Sequence, residues 1–306
     1  MKRFLKTILI FAFILFITGE LIVRAFQLVP EIPERYIDDY GIQRYKPNQS
    51  GYFTKAVTKW NVNKYGWLGT HEVKKDRTIS IIGDSFIENL MNPIECNQGS
   101  LLKQDLPNYA FFEAARSGIT FIEAFEITNV LEKEINPLYH LIYVSDNDFY
   151  ESISEINRQT DKLQISVTDK KLLPTQLKSP GLKKVLYNIK LLYYFYLKYP
   201  FFIEKQNQGK KSNAIFETNK FDSVMFNDLL SYCSYNYKLN KIILVLRPNT
   251  DKRIVALLNS YNIKTILLNS TNDKSWERSS VDEHWSCYGH HQASKQVIIK
   301  LKELLK

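Results

Sequence analysis

Cysteine is scarce in this chain of 306 residues: Cys96, Cys233 and Cys287 are all it has. Their spacing fits no zinc pattern and three thiols cannot all pair, so a zinc module is excluded and the sequence leaves open which two, if any, would join in an oxidising compartment. No internal repeat is present, which excludes a solenoid or propeller. The formal net charge is +9, but the lysines are scattered and no basic stripe with interleaved aromatics coincides with a motif. That argues against a nucleic-acid partner and for attraction to an anionic membrane or acidic glycan. With 44% hydrophobic and 24% charged residues, the chain also lacks the composition of a disordered segment.

One long apolar run is present, at the N-terminus. Met1-Lys2-Arg3 precedes an apolar stretch from Leu5 to Val23, broken only by Lys6 near its start and Glu20 near its end. Thr7 to Val23 is seventeen residues, the lower limit for crossing a bilayer. A cleaved signal peptide and a soluble amphipathic helix are the alternatives. No good small-x-small cleavage site follows the run, which favours a retained anchor. The basic start keeps that end cytoplasmic and puts the remainder outside. Glu20 and Arg24, four apart, are placed to pair at the outer interface.

Beyond the anchor, short apolar runs alternate with segments of helical period. The strand candidates are Thr78–Ile82, Tyr109–Ala114, Leu141–Ser145, Ile242–Leu246 and Thr265–Leu268. This alternation predicts a parallel sheet covered on both faces, with ligands taken at the carboxyl ends of its strands. The expected organisation is an anchor or signal over 1–26, a stem and lead-in over 27–74 and one α/β domain over 75–306. An extra helical segment at about 150–221 is expected to set specificity. Within it, Leu182, Val185, Leu186, Ile189, Tyr193 and Tyr196 keep helical spacing. That pattern reads as a helix packed on the core, with a lid or membrane-facing helix as the alternative. Gln206–Asn219 reads as a solvated loop.

Candidate chemistry follows from strand ends. Gly83-Asp84-Ser85-Phe86 directly follows the first strand candidate and precedes helical spacing, so Ser85 falls on a strand-to-helix turn where a hydroxyl is exposed. A serine attacks a carbonyl only if an imidazole takes its proton and a carboxylate orients that imidazole. Asp282-Glu283-His284-Trp285 supplies both groups. Gly118, after the second strand candidate, offers a backbone N–H without an intervening side chain. Asn147, in Ser145-Asp146-Asn147-Asp148 after the third, offers an amide donor for an oxyanion.

These blocks in this order resemble the SGNH/GDSL hydrolase superfamily over roughly residues 75–305. The resemblance implies a three-layer α/β/α sandwich with a flavodoxin-like parallel sheet of about five strands, here preceded by an N-terminal transmembrane helix. It implies Ser85 as nucleophile and first oxyanion donor, Gly118 and Asn147 as the other donors, His284 as base and Asp282 as its partner. No metal or organic cofactor is implied. The chain departs from the family pattern at Phe86, Glu113 and Ser145, and only Glu283 separates Asp282 from His284. This makes His290 the second candidate for the base, with His291 behind it. Cys287 is read as a pocket or helix-start residue.

Asn61-Val62-Asn63-Lys64-Tyr65-Gly66-Trp67-Leu68-Gly69 resembles the Asn-x-x-Gly-x-x-Gly lead-in found in a bacterial, membrane-anchored subgroup of that superfamily. The expected activity is therefore a serine esterase or O-acyltransferase acting on acylated carbohydrate of the cell envelope or another ester. Its expected place is the outer side of the bacterial cytoplasmic membrane, on a single pass. A lipid-directed lipase or thioesterase and a non-catalytic glycan-binding or assembly protein are the competing expectations.

Overall fold

The computed structural model describes residues 1–53, 58–199 and 221–305. The central sheet comprises β1 (Thr78–Gly83), β2 (Ala110–Ala115), β3 (Tyr139–Val144), β4 (Ile242–Leu246) and β5 (Lys264–Leu267). All four pairings between them are parallel. In space the order is β2-β1-β3-β4-β5, the doubly wound order in which the chain reverses direction between β1 and β3 and leaves a crevice beyond their carboxyl ends. A hairpin, β6 (Glu277–Ser279) and β7 (Asp282–Trp285), lies outside this sheet.

The helices are α1 (Lys2–Ala25), α2 (Ser85–Glu88), α3 (Gln98–Asp105), α4 (Phe121–Glu134), α5 (Asp146–Ser152), α6 (Pro180–Asn188), α7 (Lys190–Lys198), α8 (Ser223–Asn236), α9 (Lys252–Ser260) and α10 (Cys287–Leu304). Strands β1, β2 and β4 are buried at every position, as expected where helices cover both faces of a parallel sheet. Alternate residues feed two cores. Ile82, Phe112, Ile142 and Leu244 pack with Phe125 of α4 and Leu229 of α8. Ile81, Phe111, Leu141 and Val245 pack with Leu102 of α3 and Val297 of α10. Each core follows from the period of two along a strand.

The stem and lead-in over 27–74 are folded onto the domain. Their two hairpins pair Arg35–Ile37 with Gln43–Tyr45 and Ser50–Phe53 with Thr58–Asn61, and Ile42, Tyr45 and Trp67 are buried. The Asn63 side chain accepts hydrogen bonds from the backbone of Tyr65 and Trp67 at 2.8 and 3.2 Å, which fixes the lead-in turn. The chain then covers the open edge of β2: Glu113 N donates to Thr70 O at 2.7 Å, and the buried Glu113 carboxylate accepts from Thr70 N and Gly99 N. Covering that edge removes a row of unpaired backbone groups that would otherwise template aggregation. Glu113 is thus a structural tie between lead-in and sheet. Gly69 sits at φ +90° with Glu113 Oε2 only 1.9 Å from where a Cβ would stand. Gly69→Ala is expected to cost about 2–4 kcal/mol through strain and displacement of this tie, measured as a lowered urea midpoint at unchanged slope.

The extra segment differs from its expectation. The apolar period does not form one helix on the core but two, α6 and α7, interrupted at Ile189. Leu182, Val185 and Tyr196 are exposed, while Leu186 and Tyr193 pack with Val23 and Val29 at the end of α1. The periodicity is real but belongs to the helix pair packed on the end of α1. The expected loop Gln206–Asn219 lies outside the described residues.

Candidate active site

Gly83 ends β1, and Asp84 caps α2 by accepting from Phe86 N at 2.9 Å. A Cβ on Gly83 would stand 2.6 Å from Ile87 Cγ1, so the glycine lets the chain turn tightly enough to put Ser85 at the helix start. Two side chains 199 positions apart then meet: His284 Nε2 lies 2.9 Å from Ser85 Oγ. On the other side of the ring, Nδ1 lies 2.7 Å from Asp282 Oδ1. The β6–β7 hairpin delivers both residues from one strand, because residues two apart in a strand share a face.

Asp282 also holds an ion pair with Arg278 across the hairpin at 2.9 Å. Burial pushes the Asp282 carboxyl up, but the hydrogen bonds from His284 and the charges of His284 and Arg278 outweigh it, leaving it below the ordinary carboxylate range. Asp282 is therefore an anion at neutral pH, suited to orient the ring and to stabilise an imidazolium.

Gly118 and Asn147 follow β2 and β3, the two strands that flank β1. Gly118 has φ +80°, and its loop is pinned by neighbours. The Arg116 guanidinium, buried, pairs with Glu123 and donates to Gln43 O and Ser117 O. The Ser117 hydroxyl and the Tyr45 phenol both donate to the Glu88 carboxylate of α2. Asn147 lies in the first turn of α5 behind a Ser145–Asp148 capping box. Its side chain is half-buried and makes no hydrogen bond among the described residues, which leaves its amide available to a ligand.

His290 occupies a different place. It is buried, accepts from Gln98 Nε2 at Nδ1 and at its carbonyl, and meets Trp285 edge to face. Gln98 is fixed in turn by accepting from Tyr143. This ring packs within the core and has no contact with Ser85, which removes the second candidate for the base. Burial, and then the neighbouring His291 and His284, lower its pKa to about 3. Because the folded pKa lies below the unfolded value, protonation favours unfolding as pH falls below the ordinary histidine range. Wild type is expected to lose about 3 kcal/mol relative to His290→Gln between pH 7 and pH 4, read from paired denaturation curves. The paired comparison cancels Asp148, whose carboxyl is pushed up to about 8 by burial and by Asp84 and contributes with the opposite sign.

Four features were not reached from the sequence. The Phe86 ring stacks on His284 with centroids 4.7 Å apart, and the Arg247 guanidinium lies over the Phe86 ring, 3.3 Å from its centroid, while pairing with Asp84. Arg247 directly follows β4, and a charged residue at the carboxyl end of a parallel strand is the signal that would have found it. The Cys96–Cys287 disulfide joins the segment after α2 to the start of α10, and Cys233 is free and buried. Cys287 is thus a helix-start residue, but one fixed covalently. A polar cleft of about 300 Å³ is lined by Phe86, Arg247, Asn249, Asp273, Glu283 and Trp285, and shares Phe86 with the stack on His284 without being lined by His284 or Ser85. Finally, Ser80 Oγ, His140 and Glu132 form a second serine–histidine–carboxylate chain, at 2.7 and 3.2 Å. Ser80 and His140 are both enclosed between sheet and helix, so no substrate reaches them.

The fold and these side chains define a doubly wound α/β protein with a serine, histidine and aspartate in relay at the crevice where such sheets take ligands. No family model and no curated protein matches the sequence. Among solved structures it is similar to TesA, at 11% identity over 74% of this chain and 99% of that one, with a TM-score of 0.40. It is similar to a lipase/acylhydrolase from Enterococcus faecalis, at 13% identity over 74% and 96%, TM-score 0.39. It is also similar to the psychrotrophic esterase EstA from Pseudoalteromonas sp., at 13% identity over 75% and 99%, TM-score 0.40. At these scores the functional reading stands on the geometry of the chain itself.

Proposed function

We propose that the chain is a membrane-anchored serine esterase or O-acyltransferase of the SGNH/GDSL type. The observation that carries this reading is the unbroken relay from Ser85 through His284 to Asp282. Ser85 Oγ attacks an ester carbonyl while His284 takes its proton, and the developing oxyanion is met by N–H groups of Ser85 and Gly118 and the Asn147 amide. Collapse expels the alcohol, protonated by His284, and leaves an acyl-serine. Water or an acceptor hydroxyl, activated by the same imidazole, then releases the acyl group.

The polar lining of the adjacent cleft supports a hydrated substrate, and an O-acetylated envelope carbohydrate fits that chemistry. The exposed apolar residues of α6 and α7 favour a second reading, a lipase or thioesterase acting on longer chains. Hydrolysis of p-nitrophenyl acetate against decanoate by the full-length protein separates the two. A preference for acetate supports the carbohydrate ester; a preference for decanoate overturns it.

Retention of α1 is supported by specific contacts at its outer end. Glu20 accepts hydrogen bonds from Lys190 N and Leu191 N at 3.0 and 2.7 Å, Arg24 donates to Asn188 O at 2.6 Å, and Glu20 and Arg24 pair. A carboxylate at the positive end of α7 is favourable. Gly19 approaches Leu191 so closely that a Cβ would stand 2.9 Å from it. A leader destined for removal has no need of such fitted partners, whereas a helix of 24 residues with its apolar side chains exposed is suited to lipid. The N-terminal mass of protein taken from membranes tests this: intact residues 1–26 are expected, and a mature start beyond Arg24 would overturn it.

A further inference from the structure

A second cavity, of about 430 Å³, lies apart from the candidate active site. One wall is the segment Ile32–Tyr36, which begins a few residues after α1 ends; the other is the start of α6 with Tyr187. Five cationic residues line it, Arg35, Lys46, Lys178, Lys183 and Lys184, against two acidic ones, Glu34 and Asp161. Glu34 is already engaged by Lys46. Among the described residues, Arg35, Lys178, Lys183 and Lys184 have no carboxylate within ion-pair distance. The lining therefore carries a surplus of positive charge in a concave, partly desolvated space, where an anion is worth more than on an open surface.

Two details sharpen this. Arg35 is held in place over the Tyr45 ring at 5.5 Å, so its guanidinium is oriented and not free to swing into solvent. Burial, and then the charge of Arg35, pull the Lys183 ammonium below its ordinary range, with Asp161 opposing only in part. Like charges so held are relieved by an anion between them. The first turn of α6 has no acidic residue and contributes its backbone dipole in the same sense.

The position of the cavity selects the anion. Helix α6, which forms its far wall, belongs with α7 to the helix pair docked on the outer end of α1 through Glu20, Arg24 and the Val23–Leu186–Tyr193 cluster. Leu182 and Val185 on α6, and Leu192 and Phe195 on α7, are exposed apolar side chains on the same structure. Cationic lining beside exposed apolar surface at the end of a spanning helix matches the two ends of one molecule: a charged head and acyl tails. We propose that this cavity binds the phosphate-bearing headgroup of an anionic membrane lipid. The lipid fixes the height and tilt of the domain above the bilayer. This inference rests on the proposed membrane anchor and not on the proposed ester chemistry.

The test uses the full-length protein in neutral detergent, titrated calorimetrically with dihexanoyl-phosphatidylglycerol, dihexanoyl-phosphatidylcholine and inorganic phosphate. Phosphatidylglycerol is expected to bind at least about tenfold tighter than phosphatidylcholine, and Lys183→Glu/Lys184→Glu to weaken it by about tenfold or more at an unchanged melting temperature. A second variant, Lys178→Gln/Lys184→Gln, is expected to weaken binding severalfold and covers the case in which charge reversal disturbs folding. Equal affinity for inorganic phosphate would assign the cavity to a free phosphate compound and overturn the lipid. Binding that is absent, or undiminished in both variants, would overturn the site. Because the short-chain lipid is soluble, loss of α1 from the mature protein with headgroup binding intact would sink the anchor and leave the cavity assignment standing.

Discussion

Ser85→Ala and His284→Ala are each expected to reduce ester hydrolysis by about a thousandfold or more, with little change in melting temperature. The two losses are not expected to add, because the serine is nucleophilic only while the imidazole can take its proton, and the later proton transfers of the imidazole all act on the acyl-serine that Ser85 forms. A double variant should therefore be no worse than either single one. Asp282→Asn should cost about a hundredfold to ten-thousandfold, since it leaves the ring in place but removes the anion that fixes its tautomer. His290→Gln is the control that separates this relay from its nearest competitor. It should keep the wild-type rate near neutral pH, because its ring faces Gln98 and Trp285 within the core. Loss of activity in His290→Gln without loss of stability, together with an active His284→Ala, would overturn the assignment. Labelling of wild type but not Ser85→Ala by a fluorophosphonate would give the same answer without a substrate.

Removal of the Cys96–Cys287 disulfide is expected to have the largest effect on stability. The bridge closes a loop of 191 residues, for which the chain-entropy treatment gives about 5 kcal/mol and measured native bridges give about 2–5. Cys96→Ser/Cys287→Ser should therefore melt about 10 °C lower. A kinetic effect should accompany it. Cys287 starts α10 two residues after β7 ends, and Cys96 follows α2 by a short segment held by Asn92 donating to Trp285 O at 2.9 Å. The bridge therefore ties the piece of chain carrying His284 to the piece carrying Ser85. Without it, kcat should fall more than KM rises, and the loss should be partly recovered at lower temperature. A variant of unchanged melting temperature would contradict this account.

Much of the sheet was legible because a buried parallel strand must be continuously apolar, and a short apolar run bounded by turn residues has few other uses. All five strand candidates coincide with strands to within a residue or two, although the run at Thr265 starts one residue later than β5. The motif residues were legible for a related reason: Ser85, Gly118 and Asn147 each follow directly on such a run, and a parallel sheet collects strand ends at one edge. The strands within residues 27–74 were not legible, because they have only three or four residues each, too short for period-two alternation to stand out. The extra segment was misjudged because helical periodicity reports an apolar face without naming what covers it.

The sequence by itself determined the strands of the central sheet, their order along the chain and which strand ends carry a hydroxyl, an imidazole or a carboxylate, since these depend on local pattern and residue type. Only the tertiary structure decided between His284 and His290, six positions apart with the same side chain. One is carried by a hairpin to within 2.9 Å of Ser85, and the other is turned inward by the first turns of α10. It also decided which cysteines pair, that Phe86 and Arg247 stack beside the imidazole, and that α6 and α7 belong to the end of α1. Each of these is a contact between residues far apart in sequence, and their distance is set by the packing of whole layers, which no local window contains.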